Sequence, residues 1–178
     1  AALVYQAQLT RSAPRADPEL AAALERVEAG ARAPRLPNEQ AAAARALYAP
    51  AAFLVMQAPP EYAALYLRMI QRIKPGFARA GMALAELFEQ LELEREALAA
   101  YDRLEGSVYG YNAGVSAAWL RFRMGEDEAA LSAIARLERG APYDAELARA
   151  DMLRFSGGCE DALPIYLNRA LVDADFVL

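Results

Sequence analysis

Five glutamates, Glu86, Glu89, Glu92, Glu94 and Glu96, stand within eleven residues of one another. Carboxylates so spaced could pair for acid-base chemistry or gather around a divalent cation. No histidine accompanies them anywhere in the chain, which removes the commonest general base, the commonest metal ligand and every His-dependent triad. The other candidates are Lys74, the tyrosines and Cys159, and none sits in a motif. "SGGCE" at 156–160 is Gly-rich and precedes a helical stretch, yet it lacks the lysine and spacing of a phosphate loop. Cys159 has no basic neighbour to stabilise a thiolate and reads as a small inert side chain. The glutamate run reads as a solvated helix face and turn. These residues give no catalytic, cofactor-binding or metal site, and the chain is not expected to be an enzyme.

The elements that must hold these side chains are helices. The chain has 178 residues, 56% hydrophobic and 24% charged, a globular balance. Alanine dominates, Arg far outnumbers Lys, and β-branched residues are few, so propensity favours helix nearly throughout. The formal charge of −5, with no basic stretch interleaved with aromatics, lacks the electrostatic term that drives nucleic-acid binding. The longest apolar run, "APAAFLVMQAPP" at 49–60, is far shorter than the roughly 20 residues of a membrane span. A single cysteine forms no internal disulfide and leaves the compartment open, periplasmic or cytoplasmic. The first residues, "AALVYQAQL", and the last, "ADFVL", read as cut edges of a longer protein.

Self-similarity organises the rest. An alanine, a bulky residue four later and another three after that occur as Ala63-Leu67-Ile70, Ala97-Tyr101-Leu104 and Ala130-Ile134-Leu137, then partly as Ala162-Tyr166. The steps are 34, 33 and 32 residues. A preceding helix carries Ala51-Leu54, Leu84-Ala85-Phe88, Ala118-Trp119-Phe122 and Ala150-Leu153, with turn formers "APP", "LELERE", "MGEDE" and "SGG" between. Pro75 and Pro142 are expected to close second helices. Small residues at fixed places let two helix axes approach closely while larger neighbours fill the grooves, so Ala85 and Ala97 are expected to meet across one hairpin. Residues 1–36 read as an N-terminal helical segment, with a helix at 18–29 ended by Gly30, and a linker. Residues 37–178 read as about four hairpins, the last incomplete, opening on Asn38 as a cap.

This pattern, carried by Leu84, Ala85, Phe88, Ala97, Tyr101, Leu104 and Pro75, resembles the tetratricopeptide repeat. The order "AAARALY", "AALYLRMIQRIKPGFARA", "EALAAYDRL", "ADMLRF" is similar to long alphaproteobacterial proteins of that family, known as arrays rather than by an activity. The resemblance implies an all-α fold, an α-solenoid of stacked antiparallel hairpins whose first helices line a concave groove. The side chains then expected in the groove are Arg45 and Tyr48; Arg79, Met82, Glu86 and Glu89; Ser116, Leu120 and Arg123; and Leu147, Asp151 and Arg154. Met, Leu and Arg together suit a peptide or helix; the bland alternative is that they cover neighbouring helices. The paired Lys and Asn that clamp a chaperone's C-terminal carboxylate are not matched, since Ala83, Ala117 and Ala148 hold those positions. Pro50 and Trp119 depart from the pattern, Trp119 standing on the small position if the 34-residue step holds.

The function implied is a non-enzymatic scaffold binding a protein or peptide partner in the groove, or another copy of itself through the solenoid ends, without nucleic acid or membrane insertion. The competing expectation is the helical, non-catalytic arm of a larger bacterial envelope enzyme or assembly factor.

Overall fold

A computed structural model describes residues 17–32, 37–137 and 142–157. These form eight helices: α1 (Pro18–Glu28), α2 (Glu39–Gln57), α3 (Pro60–Ile73), α4 (Ala78–Gln90), α5 (Glu94–Asp102), α6 (Gly110–Arg123), α7 (Asp127–Leu137) and α8 (Pro142–Phe155). There is no strand among the described residues, and the expected all-α class is found. No helix among them is long and apolar enough to cross a membrane. Leu36, where the linker was expected to end, and Cys159, Ala162 and Tyr166 lie outside the described residues.

The chain divides into two compact units. The first holds α1 to α3, the start of α4 through Ala80, and residues 106–109; the second holds Gly81 to Glu105 and everything from Gly110. In the first, α2 and α3 pack as a hairpin. In the second, α6 packs on α5, α7 and α8, and α7 packs on α8.

Local chemistry sets the helix ends. The Asn38 side chain accepts the Ala41 N–H at 2.9 Å, the cap expected from sequence. Asp17 caps α1 by accepting the Glu19 N–H at 3.0 Å. Pro18 and Pro60 occupy first helical positions, where a missing N–H costs nothing. Pro75 does follow the end of α3, whereas Pro142 opens α8 rather than closing α7. Helix α2 runs through Pro50; Ala46, whose carbonyl loses its intrahelical donor there, is exposed to water.

Helices α1, α4 and α6 end in the same motif. The amide of Ala31 donates to the Arg26 carbonyl, that of Leu93 to Phe88, and that of Glu126 to Arg121, each a six-to-one closure around a left-handed residue. That residue is Gly30 at φ 69° and Gly125 at φ 81°, but Glu92 at φ 58°. A side chain in this conformation costs about 1–2 kcal/mol, partly offset because glycine loses more entropy on folding. Glu92→Gly is therefore expected to stabilise the second unit by about 0.5–1 kcal/mol, read as a higher urea midpoint with unchanged slope.

The core follows the alanine register. Ala51, Ala85, Ala118 and Ala150 in first helices, and Ala63, Ala97 and Ala130 in second helices, are all fully buried. Within each pair 51/63, 85/97 and 118/130 the two alanines are twelve residues apart. The small position of α6 is thus Ala118: the step shortens to 33, and Trp119 turns aside to meet Phe122 edge to face at 6.0 Å. Around Ala118 and Ala130 the second unit buries Ala133, Ile134, Ala148 and Met152. Gly114 lets α7 come close, since a Cβ there would stand 2.8 Å from the Leu137 side chain. No polar or charged residue is buried among the described residues.

Candidate interaction surface

In the second unit, three helices converge on one carboxylate. Glu89 in the last turn of α4 forms an ion pair with Arg123 in the last turn of α6. Its other oxygen accepts the Tyr101 hydroxyl of α5 at 2.8 Å. A carboxylate at a helix C-terminus opposes the helix dipole, and these two donors compensate it. Burial, then the hydrogen bond to Glu89, pushes the Tyr101 hydroxyl well above the usual tyrosine range, with the Glu86 charge adding and the Ser116 hydrogen bond opposing. Tyr101 is therefore a fixed proton donor, and both Glu89 oxygens are engaged.

Four residues expected on one surface, Glu86, Glu89, Ser116 and Arg123, thus gather around Tyr101. Glu86 and Arg123 are exposed, and Ser116 is half-buried. Glu92, Glu94 and Glu96 are exposed, the solvated face and turn read from sequence. Met82 is half-buried. Leu120 requires a correction: it is fully buried and belongs to the core, because α6 has helices on several sides. On α8, Leu147 keeps 38% of its surface exposed, Asp151 is half-buried, and exposed Arg154 lies over the Phe155 ring at 5.4 Å.

In the first unit, Arg45 is exposed on α2, while Tyr48 and Arg79 meet. The Arg79 guanidinium lies 5.8 Å from the Tyr48 ring centroid, and that ring tilts against Phe77 at 5.7 Å. Arg79 Nε donates to the Tyr109 hydroxyl at 3.2 Å. Its Nη2 pairs with Asp17 and, at 3.2 Å, with Glu19. Burial works against the Arg79 charge, but Tyr109, Glu19 and Asp17 outweigh it and the net shift is upward. Asp17, Glu19, Tyr101 and Tyr109 were not legible as site residues. The "DP" pair at 17–18 signals a helix start, but the Arg79 guanidinium that meets the other oxygen of Asp17 and the Tyr109 hydroxyl that donates to the capping oxygen at 3.4 Å come from residues 62 and 92 positions away.

Burial, then the Glu19 charge, pushes the Tyr109 hydroxyl up to about 12, with Arg79 opposing. An ordinary tyrosine in the unfolded chain loses its proton near pH ~10. Between that pH and about 12 the folded state holds a proton the unfolded state has lost, so stability is fully present below this window and falls as pH rises through it. Absorbance at 295 nm is expected to show Tyr101 and Tyr109 ionising above the usual tyrosine range. Tyr109→Phe is expected to remove one late proton from that titration.

No protein-family model matches the chain, and no curated protein matches it.

Proposed function

We propose that this chain is a non-enzymatic protein-interaction scaffold, an α-solenoid of tetratricopeptide-like hairpins that takes a peptide or helix of a partner protein on the face bearing Glu86, Ser116 and Arg123. The observation that carries it is the fully buried alanine pair at a constant twelve-residue spacing, 51/63, 85/97 and 118/130. Such a register supports hairpins whose axes approach closely and stack through the neighbouring hairpin. Successive first helices, α4 and α6, are tied by Glu89 and Arg123, which supports a shared face. Its mixture of charged and hydroxyl side chains suits a polypeptide. Net negative charge argues against nucleic acid.

A photo-crosslinking residue at Glu86 or Arg123 is expected to yield a discrete protein adduct in native cell extract. The same residue at Ala99 or Ala135, exposed on second helices α5 and α7, is expected to yield none. Adducts only from Ala99 and Ala135 would move binding to the other side of the hairpins.

One observation favours a second reading, self-association. Phe53 stands two residues after the buried Ala51, as Leu87 and Leu120 follow Ala85 and Ala118. Those leucines are buried, yet Phe53 is 66% exposed, alongside exposed Met56. Sedimentation velocity at rising concentration tests it: a mass that stays monomeric, or grows equally in Phe53→Ser, removes this reading.

A further inference from the structure

The α1 helix is held in an unusual way. It is eleven residues long with no buried side chain, and isolated helices of this length are marginal in water. Beyond Gly30 it leads into exposed Ala31 and Arg32, and the chain is exposed again at Pro37 and Asn38 before α2. Its start meets the first unit through a pair of carboxylates, Asp17 and Glu19, on the Arg79 guanidinium, with the Tyr109 hydroxyl donating to Asp17.

The receiving side is drawn from α2, α4 and the 106–109 turn, and its Tyr109 hydroxyl also donates to the capping oxygen of Asp17 at 3.4 Å. Arg79 leaves the first turn of α4 with its guanidinium beside the Tyr48 ring, Tyr48 is braced by Phe77, and Nε is bonded to Tyr109. Tyr109 is buried and belongs to the same unit. The cation's position is therefore fixed by aromatic residues on α2 and in the 106–109 turn, while Nη2 points at the carboxylates. A planar guanidinium held beside an aromatic ring and by a hydrogen bond at Nε loses less freedom when it takes a carboxylate.

We propose that Tyr48, Arg79 and Tyr109 form a recognition site for an acidic peptide carrying two carboxylates two residues apart, and that Asp17 and Glu19 of α1 occupy it in cis as a displaceable plug. The occupant in the structure defines the chemistry: an Asp that caps a helix start with one oxygen and meets Arg79 with the other, followed by a Glu on the same nitrogen. A partner segment of the same form competes with α1 for the site. The proposal uses none of Glu86, Ser116 and Arg123, the residues of the face proposed above, and is tested separately from it.

The test uses the full chain and a fluorescein-labelled peptide of residues 17–30, followed by anisotropy. Unaltered chain is expected to bind weakly, because the tethered copy competes at an effective concentration of about millimolar. In Asp17→Asn, Glu19→Gln chain, binding is expected to tighten at least about tenfold, and to weaken again as salt shortens the Debye length from about 10 Å at 0.1 M to 3 Å at 1 M. Arg79→Gln added to the opened chain is expected to abolish it. A peptide with Asn and Gln at its two acidic positions is expected not to bind the opened chain, an arm that leaves the protein's fold untouched. No saturable binding to the opened chain while its helical spectrum is retained, or equal binding of the neutral peptide, overturns the proposal. Photo-crosslinks at Glu86 and Arg123 report on the other face whichever result is obtained.

Discussion

Leu120→Glu is expected to unfold the second unit at neutral pH. The leucine is fully buried, and losing its burial costs about 2–3 kcal/mol. The incoming carboxylate finds no buried polar or charged residue among the described ones to share its burial, and it must either stay ionised at a cost of several kcal/mol or take up a proton. Together these reach a large share of the roughly 5–15 kcal/mol that holds a domain folded. Burial raises the carboxyl's folded-state pKa, so the destabilisation is greatest above it and eases as pH falls toward about 4. Circular dichroism is expected to show partial recovery of helix in mild acid for Leu120→Glu. Asn112→Glu, changed at an exposed residue in the first turn of the same helix, is expected to keep the parent spectrum at both pH values. A urea midpoint equal to the parent's for Leu120→Glu would return Leu120 to the surface and reinstate it in the binding face.

The misreading of Leu120 has a physical origin. Ser116, Leu120 and Arg123 are spaced four and three apart and so share one helical stripe. Its outer members are half-buried and exposed, and periodicity alone places Leu120 on the same face with them. Inference from periodicity assumes a helix with one buried side and one wet side. Helix α6, packed on α5, α7 and α8, has no such simple division. The buried equivalents Leu87 and Met152, each two residues after a buried alanine, show that this position is core throughout the second unit.

The alanine register was legible because its cause is local and repeated. A small side chain is what a close axis crossing accepts, and the chain repeats a fully buried alanine at nearly constant intervals. The Asn38 cap and the Gly30 terminus were legible for the same reason, since each is decided within a few residues. Of the Arg79 cluster, the sequence put forward Tyr48 and Arg79 but not Asp17 and Tyr109, which reach it from two remote stretches, each with an ordinary local role. Glu92 stands between the two cases. The sequence marks a turn there, but nothing in "LELERE" says that a glutamate takes the left-handed conformation that Gly125 takes in the next hairpin.

Ala97→Trp is the expected result that bears most directly on the hairpin register. Ala97 is fully buried near the start of α5, one turn before Tyr101, whose hydroxyl reaches across to Glu89 of α4. An indole in place of a methyl must push α5 away from what it packs on, breaking the Tyr101 hydrogen bond. Inserting bulk into a well-packed core costs typically about 1–3 kcal/mol and occasionally more; the size of this change puts it at the upper end. Ala99→Trp adds the same volume two residues on, where the side chain is exposed, and is expected to change stability by no more than about 0.5 kcal/mol. In urea followed by circular dichroism, the two variants should separate by about 2.5 kcal/mol or more. Tyr101 supplies an independent readout, since its late ionisation at 295 nm depends on burial and on Glu89. Ala97→Trp is expected to return it to the ordinary range, while Ala99→Trp leaves it late. Coincident urea transitions with Tyr101 still late in both would mean that α5 accommodates bulk at Ala97. The small residue there would then not be what brings the two helices of this hairpin together.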